Sequence, residues 1–438
     1  FSCGRTLNNP PSTAKPGRCT IFPKHANITL TMKKLILTVL AAFILICASA
    51  QNDNKVTIGT IDSIQSKILK EQRKIWIYVP NSGQVDSKQR YPVLYLLDGV
   101  AHFYSVVGMI QQLSQVNGNT ICPEMIVVGI PNTDRTRDLT PTHIDADPPF
   151  MDSTFSKTSG GGEQFSSFIE KELMPHIDSL YPTQPYKMLI GHSLGGLTVM
   201  NIAINHTKLF NSYIAIDPSM WWDKMNLLKT TKKSFAKTDF SGTTLYLGFA
   251  NTMEEGMDIS KVQTDTSLDT RHIRSILELD KYIKGQKQTR LRYDSKYYNN
   301  DDHGSVPLIA EYDGLRFIFD KFRFNLSNKA YSDSAVDLAN KFKEHYKEVS
   351  KLFGYSVPPP ENMINGLGYE FLQQKQYAKA GGLFKMNVDN YPESYNVYDS
   401  YGDYFLAIGN KSKAIEYFKR ALSLKENPES RKKLNELL

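Results

Sequence analysis

Lys187-Met188-Leu189-Ile190-Gly191-His192-Ser193-Leu194-Gly195-Gly196 reads as an apolar strand ending in Gly-His-Ser-Leu-Gly, with a helical pattern from Leu197 to Ala203 directly after it. Strand, tight turn and helix put a serine at the apex. The backbone at such a serine is strained, so the residues two before and two after it, Gly191 and Gly195, have to be small. The turn pushes the Ser193 hydroxyl out of the sheet and sets the Leu194 N–H at a helix N-terminus, where it can face a developing oxyanion. A bare G-x-S-x-G arises by chance in many proteins. The strand before it and the helix after it make Ser193 a candidate nucleophile.

Outward from this turn, strands alternate with helices. Residues 56–64, 68–79, 91–97, 125–130, 212–216, 244–249 and 289–293 read as strands, and 104–115, 163–180, 268–284 and 308–319 as helices. The 91–97 and 125–130 runs are apolar almost throughout, as in central strands buried on both faces. This alternation predicts an α/β fold with a mostly parallel sheet covered on both sides. In such sheets ligands sit beyond the carboxyl ends of the strands, where Asp98, Pro131, Ser193, Asp217 and Asn251 fall. The proline-containing loop 139–162 is long enough to border a site.

Past Phe324 the pattern is helical only. Val357-Pro358-Pro359-Pro360 reads as a stiff linker. Beyond it two segments align at a 34-residue offset, pairing Gly368 with Gly402, Phe371 with Phe405, Leu372 with Leu406, Ala380 with Ala414 and Phe384 with Phe418. That period matches helix-turn-helix tetratricopeptide repeats. The expected layout is an α/β domain over 51–325, a helical linker over 326–360, and a small all-α domain over 361–438 with two repeats and a capping helix.

The 438-residue chain has a net charge of +7, which suggests an anionic partner until the charges are located. Residues 1–50 carry Arg5, Lys15, Arg18, Lys24, Lys33 and Lys34 and no acid; removing these six from 52 leaves 46 basic against 45 acidic side chains. The remainder is nearly neutral and offers no argument for nucleic acid or an anionic membrane. Met32-Lys33-Lys34, the apolar run 35–47 and Ala48-Ser49-Ala50 form a signal peptide over 32–50, too short to span a bilayer comfortably. Residues 1–31, without periodicity, read as upstream, non-native extension. Mature protein is expected to begin near Gln51 and to be exported, to the periplasm or outside the cell. A lipoprotein reading at Cys47 is weakened by the bulky Ile46 before it. Cys3, Cys19 and Cys47 lie in this leader, so Cys122 is left alone and no internal disulfide is expected.

A serine hydroxyl needs a base. Hydrolases of this topology place it late in the sheet domain, and His303, in the polar loop after the last strand, fits. The acid should lie between the 244–249 strand and His303. Glu254, Glu255, Asp258, Asp265 and Asp269 satisfy that order; Glu254 is favoured for its closeness to the strand end, and a Ser–His dyad without an acid remains an alternative. A second oxyanion N–H is expected from Gly99 or Val100. Trp221, Trp222, Arg135 and His102 are candidate substrate contacts, although core packing for the tryptophans and internal pairing for the arginine compete with that role. The triple glycine 160–162 lacks the Lys-Ser/Thr of a phosphate loop, and the Cys and His spacings match no metal site, so no cofactor or metal is expected.

Five ordered motifs now stand together: Leu96-Leu97-Asp98-Gly99; Gly129-Ile130-Pro131-Asn132 with Asp134-Arg135-Thr136-Arg137-Asp138; Gly191-His192-Ser193-Leu194-Gly195-Gly196; Pro218-Ser219-Met220-Trp221-Trp222; and His303-Gly304-Ser305-Val306-Pro307. Over roughly 55–325 they resemble the putative-esterase family of α/β-hydrolases, most closely its siderophore-esterase-like branch. The resemblance implies an α/β-hydrolase fold, Ser193 as nucleophile, His303 as base and the Leu194 N–H in the oxyanion hole. The chain departs from that branch with Asp217, where serine is common, and with no clear acid after Gly248. The resulting expectation is an exported serine esterase acting through an acyl-enzyme on a small-molecule or glycan ester. An acyltransferase, or an inert domain whose repeats bind a protein partner, are the alternatives.

Overall fold

The computed structural model describes residues 56–81, 89–146 and 152–438. The segments read as a signal peptide (32–50) and an upstream extension (1–31), with Cys3, Cys19 and Cys47, lie outside the described residues.

Among the described residues eight strands form one sheet: β1 (Thr60–Ser66), β2 (Glu71–Tyr78), β3 (Tyr91–Leu96), β4 (Ile126–Gly129), β5 (Thr183–His192), β6 (Ser212–Ile216), β7 (Thr244–Ala250) and β8 (Arg292–Tyr298). Their order is β1-β2-β4-β3-β5-β6-β7-β8. β2 runs antiparallel to β1 and β4, and every pairing from β4 to β8 is parallel. β5, which carries the serine turn, therefore lies in the interior of the parallel part between β3 and β6.

Helices cover both faces, as parallel strands require. α1 (Gly99–Ser114) follows β3. α2 (Gly162–Phe168, continued by Ile169–Leu173 and Met174–Leu180) precedes β5, and α3 (Leu194–Asn205) follows it. α4 (Trp222–Ser234), α5 (Arg271–Lys284) and α6 (Val306–Ile318) complete the layers. Alternation along β5 explains its unbroken apolar run: Leu189 packs with α2 to α5, while Met188 and Ile190 pack with α1 and α6. Such a strand has no solvent face to mark with polar residues.

The helical region continues the second of these cores. α7 (Leu338–Phe353) lies within 326–360, the segment read as a linker, yet Phe342, Val349 and Phe353 are buried. The Phe353 ring stands 4.8 Å from that of Tyr186 on β5. α8 (Glu361–Gln373), α9 (Tyr377–Asn390), α10 (Tyr395–Ala407) and α11 (Lys411–Leu424) form two hairpins, closed by α12 (Pro428–Leu437). The 34-residue offset has a packing basis: a Cβ on Gly368 would meet the Phe384 ring at 2.7 Å, and one on Gly402 would meet the Phe418 ring at 2.6 Å. Each hairpin closes by laying a phenylalanine on a bare glycine.

Candidate active site

Ser193 has φ 60° and ψ −115°, a conformation that costs an L-residue about 1–3 kcal/mol. Three neighbours without side chains make the turn sterically feasible. A Cβ on Gly191 would stand 2.5 Å from the Gly195 carbonyl oxygen, one on Gly195 3.1 Å from Asp98 Oδ2, and one on Gly196 2.8 Å from the Ile216 carbonyl oxygen. The Ser193 N–H donates to Ile216 O at 3.0 Å, which ties the turn to β6.

His303 Nε2 lies 3.1 Å from Ser193 Oγ, and His303 Nδ1 lies 2.5 Å from Asp217 Oδ2. With Nδ1–H donating to the carboxylate, the Nε2 lone pair faces the serine hydroxyl. The acid partner is thus Asp217, at the end of β6, and Glu254 is corrected: it sits exposed in the loop after β7 while the His303 ring is turned toward β6. Topological order does not separate these choices, since both carboxylates lie between Ser193 and His303 in the chain. Asp217 is fully buried, with φ 41°; Ala250 N–H donates to its Oδ1 at 3.0 Å, and His272 Nε2 stands 2.8 Å from its Oδ2. Burial opposes ionisation here, but the charge and hydrogen bonds of His272 and His303 outweigh it and hold the carboxyl well below the usual carboxylate range.

Among the described residues, Asp217, His272 and His303 also form a cluster whose donor atoms come close enough to consider a metal. The distances argue for protons instead. Both imidazole nitrogens are in direct hydrogen-bond contact with one oxygen, at 2.5 and 2.8 Å. An ion about 2.0–2.1 Å from each ligand in tetrahedral geometry would hold them roughly 3.3 Å apart.

A cavity of about 310 Å³ is lined by Asp98, Val100, Ala101, His102, Asn132, Arg135 and His192, the residue before Ser193. His102 lines it as the sequence suggests; its Nδ1 lies 3.2 Å from the buried Glu311. Burial works against the imidazolium of His102, but its bond to Glu311 more than offsets this and raises its pKa. Arg135 also lines the cavity, with its guanidinium committed to Asp98 through Nε at 2.7 Å and Nη2 at 2.9 Å. The His192 ring lies beside that of His303, tilted by 43° with centroids 4.5 Å apart; burial, then the His303 charge, push its pKa down to about 3.

Two substrate-contact expectations fail on burial. Trp222 is 1% exposed and donates Nε1–H to Thr142 O, and Trp221 is 7% exposed with the Arg271 guanidinium 5.0 Å over its ring. Both rings pack in the core beside β6, because the loop must fold back there to start α4. Of the two further oxyanion donors, the Gly99 N–H is corrected out, being spent on Ile130 O at 3.0 Å. Val100 stands next to it in the first turn of α1 and lines the cavity. Sequence reasoning did not pick Asp217 as the acid, and it set His272 aside as a helix-end histidine. The one available signal was the position of Asp217 at a strand's carboxyl end.

Residues 66–243 match the family described as "Putative esterase". The chain is 33% identical over 174 residues to the ferri-bacillibactin esterase BesA of Bacillus subtilis (strain 168), a match that takes in 37% of this chain and 59% of BesA. The crystal structure of an IroE-like serine hydrolase from Shewanella oneidensis is 30% identical, with a TM-score of 0.64 over 75% of this chain and 98% of that one. A structure of an uncharacterised protein from Capnocytophaga ochracea DSM 7271 reaches a TM-score of 0.58 over 86% of this chain and 99% of its own; at 16% identity it shares the fold alone.

Proposed function

The chain belongs to the putative-esterase family of α/β-hydrolases and is a carboxylic-ester hydrolase, and from that premise we propose that it cleaves its ester through an acyl-enzyme on Ser193. What carries this reading is the continuous line from Ser193 Oγ through the His303 ring to Asp217 Oδ2, at 3.1 and 2.5 Å. His303 Nε2 takes the serine proton as Oγ attacks the ester carbonyl, and Asp217 holds the tautomer and stabilises the imidazolium. The Leu194 and Val100 N–H groups receive the oxyanion, each contributing about 3 kcal/mol. Collapse expels the alcohol, which takes the proton from His303. Water, deprotonated by the same nitrogen, then releases the acid.

The substrate class we assign is the ester linkage of a siderophore. BesA, named for ferri-bacillibactin, supports this, as does the 310 Å³ cavity lined by His192, the residue before Ser193. The paired hairpins are read as tetratricopeptide-like, on the strength of their 34-residue offset and matched Gly–Phe packing. They are equally placed to buttress the sheet domain through α7 or to hold a protein partner. Export through residues 32–50 completes the reading, and N-terminal sequencing of secreted protein, with a start near Gln51 expected, checks it.

The deciding experiment compares wild type with Ser193→Ala on p-nitrophenyl butyrate and on a panel of siderophore lactones, feruloyl esters and acetylated sugars. Loss of at least about a thousandfold in turnover with retained folding is expected. Unchanged turnover in Ser193→Ala would refute the mechanism, and preference for another ester in the panel would refute the substrate class.

A further inference from the structure

A nucleophile, a base and an acid need one imidazole, yet Asp217 carries two. His272 is the second residue of α5, and its side chain is 11% exposed. It reaches Asp217 Oδ2 through Nε2 at 2.8 Å, the same oxygen that His303 Nδ1 reaches at 2.5 Å. Oδ1 is held separately by the Ala250 N–H. A carboxylate oxygen offers two lone-pair directions, and on Oδ2 the two imidazoles take both. The rings stand nearly perpendicular, at 87°, with centroids 5.3 Å apart, so each approaches from its own side.

We propose that His272 is a positioning residue that acts through Asp217, fixing the carboxylate's orientation and dividing its charge between two imidazoles, and so sets how firmly His303 holds a proton. This rests on Asp217 being the acid of the reaction. The charged and titratable groups around the cluster come from four elements. Beyond Asp217 itself, the end of β5 contributes His192, which is neutral at working pH. The loop after β8 contributes His303 and Asp302, whose carboxyl binds the Ser305 and Gly304 N–H groups. α5 contributes Arg271, whose guanidinium lies over Trp221. Of these, Asp217 alone bonds both rings.

The consequence is readable in a pH profile. Removing the His272 donor leaves the full charge of Oδ2 facing His303, so a proton on that ring is released only at higher pH. His272→Leu should move the acidic limb of kcat/KM for p-nitrophenyl butyrate upward by about one pH unit, with the plateau within about tenfold of wild type. His272→Gln, whose side-chain N–H can reach the same oxygen, should keep the wild-type limb. If His272→Leu does not fold, His272→Asn carries the same expectation, being polar but too short to reach Oδ2. A limb that stays in place in the Leu or Asn variant, or that moves equally in the Gln variant, would overturn the proposal. Ser193→Ala and Asp217→Asn are run alongside. If either keeps full turnover, the catalytic reading itself fails; if both are inactive and the limb has not moved, only the role of His272 fails.

Discussion

Asp217→Asn tests the site most sharply, because the structure dictates which way the new amide must face. Asp217 accepts one backbone N–H, from Ala250 on Oδ1 at 3.0 Å, and two imidazole nitrogens on Oδ2. The Ala250 donor is fixed in the β7 backbone and cannot become an acceptor. An asparagine that turned its NH2 toward Ala250 would set two donors against each other in a buried site, at a cost of about 1–3 kcal/mol. Turned the other way, its oxygen keeps the Ala250 bond and its two N–H groups can donate to both imidazoles, provided each changes tautomer. Every group is then satisfied, and that arrangement should win. It leaves His303 with Nε2–H pointing at Ser193, and such a ring cannot take the serine proton. The same tautomer error costs about 10⁴-fold in kcat in a serine protease triad, or about 5.4 kcal/mol. Turnover of p-nitrophenyl butyrate should fall by that order in a protein that still folds. Loss of less than about tenfold, together with inactivation of Glu254→Gln, would refute the assignment and return the acid to the β7 loop.

Other outcomes follow from the same geometry. Glu254→Gln should leave kcat within about twofold, because its side chain is exposed and away from the His303 ring. Gly191→Ala puts a methyl 2.5 Å from the Gly195 carbonyl oxygen and should lower stability by about 1–3 kcal/mol and abolish fluorophosphonate labelling; calorimetry and probe labelling check it. The Asp217 carboxyl titrates below its ordinary 3.8, so its contribution to stability is complete above about that pH and is lost as the pH falls toward its depressed value. Wild type should therefore lose stability below about pH 4 more steeply than Asp217→Asn, as measured by denaturant melts. Phe353→Ala removes a ring that is 2% exposed and should cost about 3–5 kcal/mol, in a single melting transition because α7 shares its core with β5.

Much of this architecture was legible in the chain. The serine turn could be read because its pattern is local: Gly191 and Gly195 flank Ser193 at two residues on either side, and a Cβ on Gly191 would strike the Gly195 carbonyl oxygen of the same turn. Strand and helix order, the all-helical C-terminal part and the 34-residue offset are equally local patterns. His303 was found because it is the polar-loop histidine after the last strand. The acid was not found, because order along the chain is compatible with carboxylates after either β6 or β7. The choice is made by which way the His303 ring turns.

The sequence by itself determined the fold class, the turn that exposes Ser193 and the motifs of an esterase family, since each depends on spacing within a few residues or on periodicity. Tertiary structure alone decided the rest. It brought Asp217 from β6, His272 from α5 and His303 from the loop after β8 onto one carboxylate oxygen, across separations of 55 and 86 residues. It turned Trp221 and Trp222 into the core and closed Arg135 onto Asp98. It also made α7 part of the hydrolase core. Those outcomes depend on hydrogen bonds and packing between distant segments. A buried donor takes whichever acceptor the packed layers bring within 3 Å, and the residues' spacing along the chain does not record which one that is.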